Sequence, residues 1–288
     1  MPNTYLTGIV LIVSSMFFLS LAGVLVRMLS VDDWTIVFWR SLFMTLTMLA
    51  SLAAFRKGRI AAAFRETGQA GLISGIAIGV ALVFYVFSVT RTTVANTLML
   101  LACTPLFAAL FGLVILKERV GVRTWAAMAV AGCGIALMFV ERMGAGQLLG
   151  NLFAVAAAIF YALGIVTVRG SGGVNLIPAI CIAGVVSMLI TLPYADFTNV
   201  PMRDMGILAA MGAGQMSLGL ALFVFGAQRL PPAETALIAQ LEMILGPLWV
   251  WLAINEIPSD WALIGGGVLL AAVFANTALS LRQRPSFG

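Results

Sequence analysis

Ten stretches of about twenty mostly apolar residues follow one another along this chain, separated by short polar or Gly- and Pro-bearing links. They fall near 7–29, 34–54, 70–90, 95–115, 123–140, 148–168, 176–194, 206–226, 234–253 and 260–280. A helix rises about 1.5 Å per residue, so runs of this length match a hydrocarbon core of ~30 Å. Barrel strands would read as alternating segments of about ten residues, whereas these runs are continuous. The pattern predicts an all-α integral membrane protein with ten transmembrane helices, called spans 1 to 10 below. Span 1 is too long, and too closely followed by span 2, to read as a cleaved leader, and no small-residue site follows a short apolar core. The longest link, about 55–69, is a short basic segment and leaves no room for a separate soluble domain.

Composition strengthens the same reading. Hydrophobic residues make up 62% of the chain and charged residues 9%, with a mean hydropathy of +1.09. Soluble domains carry roughly 25% charged residues, so this chain cannot cover a water-facing surface. The net charge of +5 is unevenly placed. With a cytoplasmic N-terminus, the cytoplasmic face holds Arg56, Lys57, Arg59, Arg65, Lys117, Arg119, Arg123, Arg169, Arg229, Arg282 and Arg284, and the other face only Arg27, Arg91, Arg142 and Arg203. Eleven against four is a positive-inside bias, which predicts a multi-pass protein of the cell inner membrane with both termini cytoplasmic. The basic residues are orientation signals, and no nucleic-acid partner is expected. Cys103, Cys133 and Cys181 lie inside apolar runs with no metal spacing, and histidine is absent. That removes imidazole relays and the usual zinc and haem ligands; no cofactor, metal or catalytic residue is expected.

The second half of the chain repeats the first. Arg91, Ala95, Thr97 and Glu118 recur 138 positions later as Arg229, Ala233, Thr235 and Glu256. Gly8, Phe18 and Arg27 recur at an offset of 142 as Gly150, Phe160 and Arg169, and Gly75 and Gly79 align with Ala213 and Ser217. This divides the chain into five-span copies at 1–142 and 143–288. An odd number of spans per copy inverts the second copy in the bilayer. The expected fold is therefore two inverted five-helix repeats, an architecture that lets two halves exchange inward- and outward-open shapes around a shared site.

The stretches RTTVANTLMLLACTPLFAALFGLVILKERV and RLPPAETALIAQLEMILGPLWVWLAINEIP, with Phe38, Trp39 and Arg40 in span 2, resemble the signature of EamA-type members of the drug/metabolite transporter superfamily. The resemblance covers nearly the whole chain. It implies ten helices, a central cavity lined by spans 1, 3, 4, 6, 8 and 9, and movement of small solutes such as amino acids, vitamins, nucleotide precursors or cationic drugs, often outward. The sequence departs from a symmetric pattern in two places. Ile182 stands opposite Arg40, and Pro105 falls opposite Met243 while Pro247 lies one turn later.

Charged and polar residues inside the spans are the site candidates. Glu242 lies eight residues into span 9, roughly 12 Å from the cytoplasmic edge, where an ionised carboxylate is costly and faces either a partner or a solvated path. It is a candidate for substrate binding and for carrying a coupling proton, against the alternative of a buried acid that only holds span 9. Arg40 is about six residues into span 2, near 9 Å from the outer edge, and reads as a gating or structural residue whose stem reaches outward. The two depths leave roughly 9 Å between them along the normal, so they are not expected to pair directly. Ser15, Phe18, Tyr85, Asn96, Tyr161, Gln215 and Gln240 sit on the spans expected to line the cavity and complete the substrate-binding set. Each also has a simpler reading in helix packing, which is favoured for Ser15 and for the aromatic residues. Pro105 and Pro247 each remove a backbone hydrogen bond, and they are the hinge candidates. Trp249 and Trp251 lie too deep to be interfacial anchors.

The resulting expectation is a secondary transporter of an amino acid or related amphipathic solute, acting by alternating access. Its partners are the lipid bilayer and the solute, and it works as a monomer or homodimer. An enzyme would need a polar catalytic cluster, which the spans lack, and a channel would need a continuous polar stripe or charged ring.

Overall fold

The computed structural model describes residues 2–55, 60–118, 121–140, 145–170, 176–230 and 232–282. Every regular element among them is helical: α1 (Pro2–Ser20), α2 (Ala22–Arg27), α3 (Asp33–Phe55), α4 (Ile60–Arg91), α5 (Val94–Leu101), α6 (Thr104–Ile115), α7 (Val122–Val140), α8 (Ala145–Gly170), α9 (Leu176–Thr191), α10 (Met202–Ala209), α11 (Ser217–Ala227), α12 (Pro232–Ala239), α13 (Leu241–Ile254) and α14 (Asp260–Arg282), with a π-helical segment Ala210–Met216 joining α10 to α11. Six stretches are long and apolar enough to cross a membrane: Thr4–Arg27, Asp33–Ala54, Ile60–Arg91, Val94–Ile115, Gly146–Arg169 and Met202–Ala227. Four shorter apolar helices, Thr124–Met138, Ile177–Thr191, Leu241–Ile254 and Asp260–Ala275, lie where the remaining runs were expected. Of the basic residues used for orientation, Arg56, Lys57, Arg59, Arg119, Arg142 and Arg284 lie outside the described residues.

The helices bend where the chain forces them to. Gly68, at φ 60° and ψ −164°, takes a conformation open to glycine alone and splits the start of α4 from its long apolar part. Span 4 breaks at Ala102 and Cys103, because Pro105 in the first turn of α6 has no N–H to donate back across the gap. Span 9 breaks at Gln240, with Met243 N–H turned to the Gln240 carbonyl at 3.0 Å. The two breaks, Ala102 and Gln240, are 138 positions apart. Pro247 was expected to be the hinge of span 9, yet it sits inside α13, and the break falls seven residues earlier. A proline bends a helix only as far as its neighbours let the carbonyl four residues back find another partner, so its position need not be where the helix parts.

Both broken spans end alike. Lys117 and Asn255 each adopt φ 54° and are the only non-glycine residues with positive φ among those described. They too are 138 positions apart, and each is followed by a glutamate, Glu118 or Glu256. The left-handed residue turns the chain sharply off the helix axis, as a C-terminal cap does. Glu118 N–H closes the first of these turns onto the Gly112 carbonyl at 3.1 Å.

The helices form one bundle in which α4 packs along α8 and α9, α3 along α9, α1 along α11 and α7 along α14. Close approach depends on missing side chains at several contacts, two of which orient the bundle. A Cβ on Gly8 would come 2.9 Å from Leu230 Cγ, and one on Gly150 would come 2.8 Å from the Thr92 backbone nitrogen. Gly8 and Gly150 belong to α1 and α8, while Leu230 and Thr92 lie in the turns before α12 and α5. These contacts mark opposite ends of the bundle. We call the end with Gly8 and Leu230 the near end, and the end with Gly150 and Thr92 the far end.

Candidate functional site

The broken spans frame the centre. α5 and α13 pack together towards the far end, whereas α6 and α12 share no comparable contact among the described residues towards the near end. The break at Gln240 makes Leu241 the first residue of α13 and sets Glu242 in its first turn, where the helix dipole favours a negative charge. Glu242 is half-buried, and none of the ion pairs among the described residues includes it. Gln240, just ahead of it, is buried with its side-chain oxygen unpartnered.

Tyr85 on α4 and Tyr161 on α8 each lie within electrostatic range of both Arg40 and Glu242. Arg40 was expected to extend outward, but it is 1% exposed. The reason lies in the packing of α3: the Arg40 carbonyl faces Gly212 of the π-helical segment, which turns this side of α3 to the bundle interior. The side chain runs inward to α4, where Nη2 donates to the Leu82 carbonyl at 3.4 Å and Nε has no partner. None of the ion pairs among the described residues joins Arg40 to Glu242.

The other candidates divide between the centre and the packing around it. Gln215 lies in the π-helical segment, donates Nε2–H to the Leu19 carbonyl at 3.1 Å and keeps its oxygen unpartnered. A π-helical turn carries a residue beyond the α-helical register, and here it aims Gln215 at α1. Ser15 donates to the Gly219 carbonyl at 2.7 Å, fastening α1 to α11. Phe18 is half-buried and meets Phe17 edge-on at 5.7 Å. Asn96 lies with Thr92 and Asn151 at the far end, its Nδ2 donating to Thr92 Oγ1 at 3.2 Å and its oxygen unpartnered. Pro105 is exposed and Pro247 half-buried. The depth of Trp249 now has a cause, since its ring N–H donates to Ser20 Oγ at 2.9 Å and its face meets Phe17.

Each end of the bundle carries a carboxylate–guanidinium pair built from residues that recur between the two halves of the sequence. At the far end Arg27 meets Glu256 at 3.0 Å and also donates to the Thr92 carbonyl at 2.7 Å, while Glu256 accepts Val94 N–H at 2.8 Å. Side-chain exposure is 25% for Arg27 and 20% for Glu256. At the near end Arg169 meets Glu118 at 2.5 Å, with both side chains 51% exposed. The signal was present in the sequence, since Arg27 and Arg169 are separated by 142 positions and Glu118 and Glu256 by 138. Their pairing was not visible there. Further bonds close the far end: Arg91 to Asp33, Ser30 Oγ to Asp204 at 2.6 Å, and Trp39 Nε1 to the Asp196 carbonyl at 3.2 Å. At the near end Tyr5 donates to Glu234 at 2.7 Å across an exposed surface.

A cavity of about 330 Å³ lies between α3, α4 and α9, lined by apolar residues such as Leu49, Leu72 and Val185. It contains none of the candidate site residues, and the outward exposure of Leu72 and Val185 makes it a crevice on the flank of the bundle.

Comparison with known proteins adds the family context. The EamA-like transporter family matches residues 6–140 and again 148–278. The pseudopaline exporter CntI of Pseudomonas aeruginosa (strain UCBPP-PA14) is 27% identical over 288 residues, covering 96% of this chain and 97% of that protein. A solved crystal structure, 17% identical, covers 99% of both chains with a TM-score of 0.63, a likeness that concerns the fold alone.

Proposed function

The chain belongs to the EamA-like transporter family, and we propose that it is a secondary carrier exporting an amino acid or related amphipathic metabolite by alternating access. The protein is a multi-pass membrane transporter, as its family and apolar helices require. The reading adds ten crossings, two inverted five-helix repeats at 1–142 and 143–288, and a substrate site between them. One observation carries it: Arg27–Glu256 and Arg169–Glu118 are equivalent pairs by sequence offset, yet they lie at opposite ends of the bundle. A repeat that keeps its orientation would put equivalent pairs at the same end. The paired breaks at Ala102 and Gln240 and the paired turns at Lys117 and Asn255 support the same relation.

In this reading the near end faces the cytoplasm, by the distribution of basic residues, and the membrane is the inner one. The far end is the sealed end, and the parted α6 and α12 give the solute its way in from the cytoplasm. Tyr85, Tyr161, Gln215, Gln240 and Glu242 form the core of the proposed binding region, with Ser15, Phe18 and Asn96 in the packing around it, while Arg40, Pro105 and Pro247 belong to the moving parts. Export agrees with the activity of the pseudopaline exporter at 27% identity.

Glu242 is the proposed proton carrier, within electrostatic range of Tyr85 and Tyr161. The test is counterflow in proteoliposomes against amino acids, purines and vitamins, followed by pH-jump transport with Glu242→Gln. Saturable exchange supports a carrier, and flux linear in concentration indicates a channel. A pH dependence that survives Glu242→Gln removes this carboxylate from coupling.

A further inference from the structure

Arg40 is chemically incomplete where it lies. A guanidinium offers five N–H donors in a planar fork, and this one is buried with a single long hydrogen bond to the Leu82 carbonyl and Nε unpartnered. Removing a guanidinium from water costs several kcal/mol unless a counter-charge and hydrogen bonds replace the lost hydration. None of the carboxylates among the described residues bonds to it. Charged groups in a membrane interior that lack a protein partner mark ion or substrate paths. What does surround Arg40 is specific. Tyr85 and Tyr161 come from two different helices, α4 and α8, and each lies within electrostatic range of Arg40 and of Glu242. Phenol hydroxyls can donate to a carboxylate and accept from an ammonium, so they suit a solute that carries both.

We propose that Arg40 is the carboxylate-binding residue of the transport site, with the phenols of Tyr85 and Tyr161 near it and Glu242 receiving the cationic group of the same solute. The inference rests on the carrier reading and narrows it to solutes that bear a carboxylate and an amine close together. Counted by helix rise from opposite edges of the hydrocarbon core, the two residues are expected to differ in depth by roughly 9 Å. A solute with its two charges a few ångströms apart, plus one charge-assisted bond of about 2.8 Å at each end, would bridge a gap of that order. Arg40 then selects and does not only gate. Its planar fork takes a carboxylate by two parallel bonds, and a lysine ammonium at the same place would act as a point charge.

The experiment is counterflow of the full-length protein in proteoliposomes with three matched solutes for each amino acid: the free acid, its methyl ester and its des-amino acid. Wild type is expected to exchange the free acid and to take the ester at least about tenfold less well, the loss of a hydrogen-bonded charged group. Arg40→Gln is expected to erase that preference for acid over ester, and Arg40→Lys to keep part of it. Glu242→Gln should instead erase the preference for the free acid over the des-amino acid. Wild type that takes acid and ester equally overturns the proposal without any variant having to fold, and exchange of cations or neutral solutes would then leave the carrier reading intact. Arg40→Gln that still discriminates acid from ester as wild type does also overturns it. If no solute of any class exchanges, the carrier reading fails and the proposal fails with it.

Discussion

Replacing Glu256 with Gln should open the far end of the bundle, while Glu118→Gln should change the near end much less. The difference follows from burial and bonding. Glu256 holds Arg27 through one oxygen and the Val94 N–H at the start of α5 through the other, with both side chains three-quarters or more covered. Gln can still accept from Val94, so the loss is the ionic contact with Arg27. A hydrogen bond between charged groups contributes about 1.5–3 kcal/mol when shielded, and partial exposure at this site reduces that to about 1–2 kcal/mol. Arg169–Glu118 is half exposed on both sides, where such pairs contribute about 0–1 kcal/mol. Since 1.4 kcal/mol is a factor of ten in an equilibrium, Glu256→Gln should raise the far-open population about 5- to 30-fold, and Glu118→Gln should shift the near end by about 5-fold or less.

The assay uses a single cysteine at Ala95, buried at the head of α5, in a background without Cys103, Cys133 and Cys181. A membrane-impermeant maleimide applied to the far face labels it only when that end opens, so the labelling rate follows the open population. Added salt should weaken the near pair more than the far one, because exposed charges are screened more fully. Equal effects of the two substitutions, or a larger effect of Glu118→Gln, would refute the argument from burial.

Three further outcomes follow from other parts of the fold. Asp196 caps the loop after α9, and the backbone N–H groups of Thr198 and Asn199, then their side chains, hold its carboxyl down at about 2 from an ordinary 3.8. A lowered carboxyl stabilises the folded loop above its ordinary value and loses that contribution as pH falls towards 2, so hydrogen exchange in 192–200 should rise only below about pH 4, and Asp196→Asn should flatten the profile. A Cβ at Gly79 would stand 2.7 Å from the Ala183 carbonyl, a backbone atom that cannot rotate aside. Gly79→Ala should therefore separate α4 from α9 and lower the melting temperature in detergent by an amount matching about 1–3 kcal/mol, and an unchanged value would count against that contact. Lys117→Asn should raise the melting temperature, because asparagine tolerates the left-handed conformation that costs lysine about 1–2 kcal/mol, and a fall would show that the lysine side chain contributes more than the strain removes.

Helix positions were legible because apolar length is a one-dimensional property, and the runs near 34–54 and 148–168 became α3 and α8 with ends shifted by a few residues. The repeat was legible for a related reason: identical residues at a fixed offset survive as text. What the text lacked was direction around each helix axis. Arg40 was read with a stem reaching outward, whereas its burial, its bond to the Leu82 carbonyl and the contact of its own carbonyl with Gly212 show that this side of α3 faces inward. Pro247 announces a lost hydrogen bond and not the place where span 9 breaks, and Gln240, where it does break, carries no such mark. The two terminal glutamates show the converse. Their recurrence was read, but their function as partners of Arg27 and Arg169 depends on two helices meeting from different halves, which a single offset cannot express. The same residue pairs carry unequal bonding at the two ends because Val94, which donates its N–H to Glu256, is answered 138 positions on by Pro232, which has no N–H to give Glu118. Under the proposed alternating-access reading, that one difference in residue type would favour closure of the far end over the near end and leave the protein open to the side from which an exporter loads.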